Sequence, residues 1–401
     1  MQSYKRTIYC CFTGYIVQAG VNNFAPLLFL TFQKQYDIPL YQITALITIN
    51  FIIQLAVDFA AAFFVDKIGY RASLLLAHGF AAAGLLLLTV LPDLFPSAFL
   101  GLLTAVFFYA IGGGLLEVVI SPVVEACPSK HKDRTMSMLH SFYCWGSVGV
   151  VGISSLFFLL FGIENWKIMA AIWAILPIVN GLMFIKAPLY SLIPEGEQKL
   201  SIWSLFKNKM FWFFMVIILC AGASEQSVSQ WSSAFVESAL GISKTYGDLV
   251  GPALFSVLMG CSRLIYGKFG DRIDLKKMIF LSSGLAVVSY ILISLTSSPV
   301  WSLIGIALCG FSVGILWPGT YSSASAAVKG GGNAMFSMLA LAGDLGCASG
   351  PTFVGFVSDA AAGNLKIGIA AAVIFPLVLT VLMAGYIVKR RRNRAEPAAS
   401  Q

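Results

Sequence analysis

One carboxylate lies in the middle of a long apolar run. Glu117 stands inside residues 98–124, a stretch long enough to cross a bilayer as a helix. A charged side chain at the bilayer centre costs about 2.5–3.5 kcal/mol on insertion scales, so we expect Glu117 to face a water-filled cavity or a partner. Gly112, Gly113 and Gly114 come just before it and would let a neighbouring backbone or a ligand approach closely. Desolvation favours the protonated form of an acid at this depth, which is what proton coupling requires.

Amide side chains at helical spacing could hydrogen-bond a polyhydroxylated solute. Three pairs are four residues apart, so that each pair shares one helix face: Gln18 with Asn22, Asn50 with Gln54, and Gln226 with Gln230. An indole ring could stack on the C–H face of a sugar. The other candidates for the solute site are Asn23, Glu225, Trp145, Trp231 and Trp317. The alternative for all of them is hydrogen bonding and packing between helices, which is common in membrane bundles.

Two more titratable side chains are candidates for proton coupling beside Glu117. His140 lies near the inner start of a predicted helix and titrates near neutral pH, which suits a proton relay. A packed histidine with one satisfied nitrogen is the alternative. Asp344 is the other acid in the middle of a predicted helix. No Lys or Arg occupies the middle of a predicted helix except Arg263, which lies near the inner end of the eighth, so Glu117 has no predicted cation partner at its own depth.

The composition is that of an integral membrane protein. The 401 residues are 58% hydrophobic and 11% charged, whereas a soluble domain is about 25% charged. Apolar runs of helix-spanning length indicate a helical bundle, since the alternating pattern of a membrane barrel is absent. The net charge of +8 comes from loops and does not predict nucleic-acid binding. The eight cysteines are scattered without a metal-ligand spacing, so we expect neither a metal nor a cofactor.

Twelve membrane-spanning helices are predicted, which makes the fold class all-α. Their limits are 7–31, 42–65, 72–91, 98–124, 135–161, 167–185, 210–235, 247–269, 278–296, 300–328, 334–357 and 365–388. The polar link between the sixth and seventh helices divides the chain near its middle. The predicted organisation is an N-terminal six-helix bundle (1–185), a cytoplasmic linker (186–209), a C-terminal six-helix bundle (210–388) and a basic cytoplasmic tail (389–401).

The distribution of Lys and Arg predicts the orientation of the bundle. With the N-terminus in the cytoplasm, 21 of the 26 basic residues fall on the inner side, as the positive-inside rule requires. The outer side holds only Lys34, Lys167, Lys244 and Lys366. Both termini are therefore expected in the cytoplasm.

The two halves of the chain repeat each other at an offset of 200 residues. Met-Ser-Met-Leu at 136–139 corresponds to Phe-Ser-Met-Leu at 336–339, and Gly146 corresponds to Gly346. Gly-Leu-Leu at 114–116 corresponds to Gly-Ile-Leu at 314–316. Parallel six-helix repeats with a solute site between them are one architecture of secondary transporters, so the fold is predicted to be two pseudo-symmetric six-helix bundles.

Two cytoplasmic loops read Ala-Phe-Phe-Val-Asp-Lys-Ile-Gly-Tyr-Arg at 62–71 and Gly-Lys-Phe-Gly-Asp-Arg at 267–272. They resemble a loop pattern of the major facilitator superfamily, and the resemblance extends over the full chain. That family has the pattern G-x-x-x-D-K/R-x-G-x-R/K after its second and eighth helices. Here the first loop has Asp66, Lys67, Gly69 and Arg71, with Ala62 in place of the leading glycine. The second has Gly267, Lys268, Asp271, Arg272, Lys276 and Lys277. The aspartate of each loop could also cap the helix that follows it.

The resemblance implies that these loops serve the conformational switch of the transporter. Asp58 and Arg263 occupy equivalent positions, eight residues before Asp66 and Asp271, and are assigned to the same cytoplasmic gating network. The complete predicted gating set is Asp58, Asp66, Lys67, Arg71, Arg263, Asp271 and Arg272.

The fourth helix narrows the resemblance to the L-fucose:proton symporter group of sugar transporters. That group reads G-x-G-x-x-E-x-x-x-N-P there, and this chain matches with Gly112, Gly114, Glu117 and Pro122, while Ser121 replaces the asparagine. The first helix of the group carries N-N-x-N-D and later F-Q. Here the matching residues are Asn22, Asn23, Phe32 and Gln33, and Pro26 replaces the aspartate. The resemblance implies that Glu117 is the protonatable acid that contacts the sugar.

The leading hypothesis is a secondary active transporter that moves a small polar solute, expected to be a sugar, by alternating access. Glu117 would take up the coupling proton, and the chain has no G-x-x-x-x-G-K-[ST] motif for ATP. The alternative within the superfamily is a proton-coupled drug or metabolite exporter with an apolar, aromatic binding surface. We expect a monomer in a bacterial-type cytoplasmic membrane.

A membrane enzyme or sensor on the same fold is the rival from another class. The three histidines, His78, His131 and His140, fall on different predicted helices or loops, and no nucleophile–base or metal constellation is present. A sensor would need a signalling domain or a long cytoplasmic extension. The protein is therefore not expected to be an enzyme.

Overall fold

The computed structural model describes residues 4–193, 200–232, 235–236, 244–296 and 298–395, without the side chains of residues 40, 44, 244–250 and 390–395. Within these residues all regular structure is helical. Lys199, residues 233–234 of the predicted seventh helix and tail residues 396–401 lie outside the described part, as do the side chains of Lys244 and of the basic tail beyond Lys389.

Sixteen α-helices follow one another along the described chain. They are α1 (Lys5–Phe24), α2 (Phe29–Tyr36), α3 (Leu40–Ile68), α4 (Tyr70–Leu94), α5 (Ala98–Ala126), α6 (Lys132–Phe161), α7 (Trp166–Ile185), α8 (Ile202–Lys207), α9 (Lys209–Ser229), α10 (Lys244–Phe269), α11 (Leu275–Leu295), α12 (Pro299–Val313), α13 (Leu316–Ala327), α14 (Gly332–Ala360), α15 (Leu365–Ala372) and α16 (Ile374–Ala395). Short 3-10 helices occupy Ala25–Leu28, Ile163–Asn165 and Gly270–Arg272.

The described helices account for all twelve predicted spans. Among the described residues, ten helical stretches are long and apolar enough to cross a membrane when helices that directly follow one another are counted together. The other two predicted spans correspond to α10, with 26 residues, and α14, with 29 residues. The all-helical, twelve-span fold class is confirmed.

Three spans that were predicted to be continuous helices are interrupted. The first is split between α1 and α2, the tenth between α12 and α13, and the twelfth between α15 and α16. Each interruption contains a proline or lies just before one: Pro26 is within the first, and Pro318 and Pro376 follow the other two. A proline has no N–H group to offer the carbonyl four residues earlier, so the regular pattern of helix hydrogen bonds fails there.

The chain forms two compact units, which we describe separately. Unit 1 comprises Met1–Lys130, Phe142–Ile202 and Gly330–Ala340, and unit 2 comprises His131–Ser141, Trp203–Lys329 and Leu341–Gln401. The beginning of α6 therefore belongs to unit 2, and the beginning of α14 belongs to unit 1. The division into two six-helix bundles stays a prediction.

In unit 1, α5 packs against α4 almost backbone to backbone. A Cβ atom at Gly84 would lie 2.5 Å from the Tyr109 nitrogen, and one at Gly112 would lie 2.5 Å from the Ala81 nitrogen. Only glycine allows helices to approach so closely. This contact fixes the helix that carries Glu117.

In unit 2, glycines bring α9 against α14 in the same way. A Cβ atom at Gly222 would overlap the Gly343 carbonyl, and one at Gly346 would overlap the Leu219 carbonyl. These contacts fix α9, which carries Glu225, against the helix that carries Asp344.

The aspartates of the two cytoplasmic loops do not cap the following helices, so that prediction was wrong. Gly69, with a φ of 83°, precedes α4 and no side chain caps that helix. Asp274, and not Asp271, caps α11 by accepting hydrogen bonds from backbone N–H groups of the first turn. The Asp271 carboxylate is bound to Arg134 instead.

Candidate functional site

Glu117 lies in unit 1 in a cluster of amide side chains. Gln18 Nε2 donates a hydrogen bond of 2.8 Å to Glu117 Oε2. Gln54 Nε2 donates to Asn22 Oδ1 at 2.9 Å and to Asn50 Oδ1 at 3.3 Å. These five side chains, from α1, α3 and α5, are called the amide cluster below. The structure thus brings together the acid and two amide pairs that the sequence placed on separate helices.

Gly113 borders the amide cluster and leaves space beside it. A Cβ atom there would lie 3.4 Å from Asn22 Oδ1 and 3.5 Å from Gln54 Nε2. Gly112 contacts α4, as described above, and Gly114 faces Val57 and Gln54 of α3. The glycine run thus allows the close approach that the sequence predicted, each glycine toward different neighbours.

Three hydroxyl groups that the sequence analysis missed, those of Tyr15, Tyr143 and Ser147, belong to the same region. Tyr143 OH accepts a hydrogen bond of 3.4 Å from Asn22, and Ser147 Oγ accepts one of 3.1 Å from Asn23. Tyr15 OH lies 2.8 Å from Ser121 Oγ. Tyr143 and Ser147 are four residues apart on α6, so the same spacing that revealed the amide pairs would have identified them.

Trp145 does not join this network. Its side chain is 37% exposed, and it has no hydrogen bond or ring contact with the described residues. Stacking of Trp145 on a sugar stays a prediction.

The second acid of the predicted solute site, Glu225, lies in unit 2 beside a buried arginine. Glu225 Oε2 is 3.4 Å from Arg263 Nη2, and the two side chains are only 14% and 5% exposed. Arg263 Nε donates to the Gly314 carbonyl at 2.9 Å, and Arg263 Nη1 donates to the His140 carbonyl at 3.2 Å. We call Glu225, Arg263 and these two carbonyls the arginine cluster.

Aromatic rings extend from the arginine cluster along α13. The buried His140 ring meets the Tyr321 ring edge-on at 5.8 Å, and Tyr321 meets Trp317 at 6.1 Å. The Trp317 ring occupies the place that a side chain on Gly343 would need, next to the half-buried Asp344. His140 and Trp317 thus both contact Tyr321, and Trp317 lies against Gly343, the chain neighbour of Asp344, an arrangement that the sequence did not predict.

The remaining predicted side chains of unit 2 are more scattered. Gln226 Nε2 lies 3.5 Å from Glu225 Oε1. Gln230, beyond the end of α9, is exposed and makes no side-chain hydrogen bond with the described residues. Trp231 Nε1 donates to the Pro351 carbonyl at 2.9 Å, which is a helix-packing contact. Gln226 and Gln230 do not form a shared site comparable to the amide cluster.

The family model described as Major Facilitator Superfamily matches residues 10–351 and 239–401. The chain belongs to the major facilitator superfamily. Transporters of this superfamily are multi-pass membrane proteins, and this chain is one of them.

Its relatives within the superfamily are distant in sequence. It is 21% identical to the membrane protein MosC of Rhizobium meliloti over 295 residues, which cover 73% of this chain and 69% of MosC. The crystal structure of the E. coli fucose:proton symporter FucP matches with a TM-score of 0.79 at 16% identity, over 95% of this chain and 98% of FucP. The proton:xylose symporter XylE matches with a TM-score of 0.79 at 11% identity, over 96% of each chain. At these identities the structural matches establish the fold alone.

Within this superfamily fold, one of the predicted gating residues of unit 1, Arg71, contacts the end of a helix. Arg71 Nη1 donates to the Phe184 carbonyl at 2.6 Å, and Nη2 donates to the Ala187 carbonyl at 2.9 Å. A cation at the end of α7 satisfies its last carbonyls and its dipole. Asp66 and Lys67 are exposed at the end of α3, whereas Asp58 is fully buried within it.

The second loop of the superfamily pattern has a partner that the sequence analysis missed. Arg134, at the start of α6, binds the Asp271 carboxylate through Nη1 and donates from Nε to the Gly267 carbonyl at 2.9 Å. His131 Nδ1 lies 2.6 Å from the other oxygen of Asp271. Arg272 is exposed. A gating role for these residues stays a prediction.

Proposed function

We propose that this superfamily transporter moves a sugar or a similar polyhydroxylated solute and that Glu117 couples the movement to a proton. The observation that carries the proposal is the amide cluster, in which Gln18 donates to Glu117 and Gln54 donates to Asn22 and Asn50, so that an acid and four amides come from three helices. A sugar needs several donors and acceptors at close spacing, and an amide offers both.

The hydrogen bond between Gln18 and Glu117 suggests how a proton would affect the solute. The ionised carboxylate only accepts hydrogen bonds, whereas the protonated acid also donates one. Protonation of Glu117 would weaken the charge-assisted bond from Gln18 and leave the Gln18 amide available for a solute hydroxyl. The proton and the solute would then favour each other's binding, as symport requires.

The known symporters support this proposal at the level of fold. FucP is a fucose:proton symporter and XylE is a proton:xylose symporter, and both share the fold of this chain. The role of Glu117 rests on its own contacts and on the motif around it.

A proton-coupled exporter of a drug or metabolite is the second candidate. The observation in its favour is the row of rings formed by His140, Tyr321 and Trp317 in unit 2, because aromatic surfaces bind lipophilic ligands. In that case the amide cluster would serve helix packing.

Thermal stabilisation of the purified protein separates the two candidates. Sugars, polyols and nucleosides would be screened beside lipophilic cations at pH 5.5 and pH 7.5, for the natural chain and for Glu117→Gln. We expect one sugar or polyol to raise the unfolding temperature, more strongly at pH 5.5, and the pH dependence to disappear in Glu117→Gln. Stabilisation by lipophilic cations alone would contradict the sugar proposal and favour the exporter.

Uptake into proteoliposomes then tests the coupling. With the solute from the screen, an inward proton gradient should drive accumulation above the outside concentration in the natural protein. Glu117→Gln should still exchange labelled solute but not accumulate it. Uphill accumulation by Glu117→Gln would show that the proton is carried elsewhere.

A further inference from the structure

The interruption between α12 and α13 contains a carbonyl group that its own helix cannot satisfy. In a regular helix the Gly314 carbonyl accepts the N–H group of residue 318, but that residue is Pro318, which has none. A buried carbonyl without a donor is destabilising. Arg263 Nε, from α10, donates to the Gly314 oxygen at 2.9 Å and so supplies the missing hydrogen bond.

Glycines allow α12 to pack closely against α10 next to this hydrogen bond. A Cβ atom at Gly310 would overlap the Phe255 carbonyl, and one at Gly314 would lie 2.8 Å from the Met259 carbonyl. Phe255, Met259 and Arg263 are four residues apart and follow one face of α10. The glycines bring α12 against this face, and Arg263 comes next along it, opposite the interruption.

The same guanidinium group joins two further elements of unit 2. Nη1 donates to the His140 carbonyl at the start of α6, and Nη2 faces Glu225 of α9. Ser137 Oγ, also on α6, donates to the Arg263 carbonyl at 2.8 Å. A single planar fork thus reaches three acceptors in fixed directions, which a lysine ammonium group could not do in the same way.

The helix that begins after the interruption carries the aromatic rings of unit 2. Trp317 and Tyr321 are on the first two turns of α13. Their positions against Gly343 and His140 depend on the angle at which α13 leaves the interruption.

We propose that Arg263 is a positioning residue that replaces the amide hydrogen absent from Pro318 and thereby sets the direction of α13 and its rings. Its charge links this arrangement to Glu225. The consequence for solute binding by Trp317 rests on the proposed function, whereas the hydrogen bond itself does not.

Hydrogen–deuterium exchange on the purified protein tests the proposal without any solute. The variant Glu225→Gln/Arg263→Gln removes the guanidinium without leaving a buried carboxylate unpaired. We expect about tenfold faster exchange of peptides covering residues 312–324, the effect of losing one strong hydrogen bond, with little change in residues 299–310. Lys209→Gln, which removes an exposed cation of the same unit outside the predicted gating set, is the control and should leave both segments unchanged.

Adding Pro318→Ala to the double variant is the decisive step. The new alanine would offer its own N–H group to the Gly314 carbonyl, so exchange over residues 312–324 should return toward the rate of the natural protein. A purely structural role of Arg263 elsewhere in unit 2 would not be rescued at this position. Equal exchange with and without Pro318→Ala, or no acceleration in the double variant, would overturn the proposal.

Transport measurements then separate this proposal from the proposed function. With a solute identified as above, the double variant should show a KM raised about tenfold, and Pro318→Ala should lower it again. Rescue of exchange without any effect on KM would support the role of Arg263 at the helix interruption and contradict a solute contact by Trp317.

Discussion

Among the described residues, Glu117 of unit 1 and Glu225 of unit 2 are half-buried glutamates that contact different kinds of side chain. In unit 1, Glu117 accepts a hydrogen bond from a neutral amide, that of Gln18. In unit 2, Glu225 faces the fixed charge of Arg263. An amide can serve a carboxyl group in either protonation state, whereas a guanidinium favours the ionised one. This difference supports the proposal that Glu117 exchanges the coupling proton, and it agrees with the proposal that Arg263 has a positioning role beside Glu225.

Among substitutions in the amide cluster and the arginine cluster, loss of Arg263 should lower the stability of the protein most. Arg263→Ala leaves the Glu225 carboxylate and two carbonyls without their partner, and breaking a buried ion pair costs about 3–5 kcal/mol. Thermal unfolding in detergent should show this loss, whereas Glu117→Gln should lie within about 1 kcal/mol of the natural protein. Arg272→Ala is the exposed control. Equal stability of Arg263→Ala and Arg272→Ala would mean that the pair in unit 2 is not structural.

Replacement of the two glutamates should affect transport in different ways. Glu117→Gln should abolish proton-driven accumulation and leave exchange, since the group that takes up the proton is gone. Glu225→Gln should keep a pH-dependent uptake, although with lower protein stability. A pH-sensitive dye inside proteoliposomes would record proton entry when solute is added. Proton entry in Glu117→Gln, but not in Glu225→Gln, would reverse the roles assigned to the two acids.

Each hydrogen bond of the amide cluster should make a moderate contribution to solute affinity. Gln54→Ala removes hydrogen bonds to Asn22 and Asn50, and loss of one or two such bonds at about 1 kcal/mol each corresponds to a KM raised about 5- to 30-fold. Gln42→Ala, on the same helix α3, is the matched control because its amide donates only to Tyr41 among the described residues. Initial uptake rates over a range of solute concentrations give the KM. An unchanged KM in Gln54→Ala would assign the amides to packing.

Helical periodicity explains why the sequence predicted one cluster better than the other. Gln18 and Asn22, like Asn50 and Gln54, are four residues apart, so their shared faces follow from the geometry of a helix. The repeat also identified Gly146 and Gly346 as equivalent positions. In the structure, Gly146 lies against Ala19 of α1, and Gly346 lies against α9.

The contacts of unit 2 had no such local signal. Glu225 and Arg263 are 38 residues apart on different helices, and no periodicity relates them. Arg134, the partner of Asp271, comes just before the predicted fifth helix, and neither helical spacing nor the repeat relates it to Asp271. Such pairs depend on how helices are arranged in space, which one sequence does not specify.

Prolines illustrate the same limit. Pro122, Pro177 and Pro351 stay within α5, α7 and α14, whereas the helices are interrupted before Pro26 and Pro318. The residue type is the same in each case. The Gly314 carbonyl, which loses its helix donor because residue 318 is a proline, accepts a hydrogen bond from Arg263 of another helix. The local sequence does not reveal this tertiary contact.

Alanine substitutions at two glycines of α5 should have the smallest effects, and they test whether the solute binds beside the amide cluster. Gly113→Ala would place a methyl group 3.3 Å from Val21 and 3.4 Å from Asn22 Oδ1, a tight fit against side chains that can shift by a few tenths of an ångström. We therefore expect stability within about 1 kcal/mol of the natural protein and a KM raised about threefold, because the methyl group occupies space beside the amides.

Gly112→Ala is the matched variant, since its methyl group would meet the backbone of α4, which cannot shift without moving the helix. It should lower the unfolding temperature more than Gly113→Ala does and change KM less. Uptake kinetics and thermal unfolding of the two variants measure both quantities. Gly113 lies next to Asn22 and Gln54, whereas the nearest neighbours of Gly112 are in α4. A KM that responds more to Gly112→Ala than to Gly113→Ala would therefore mean that the solute does not bind in the space beside the amide cluster.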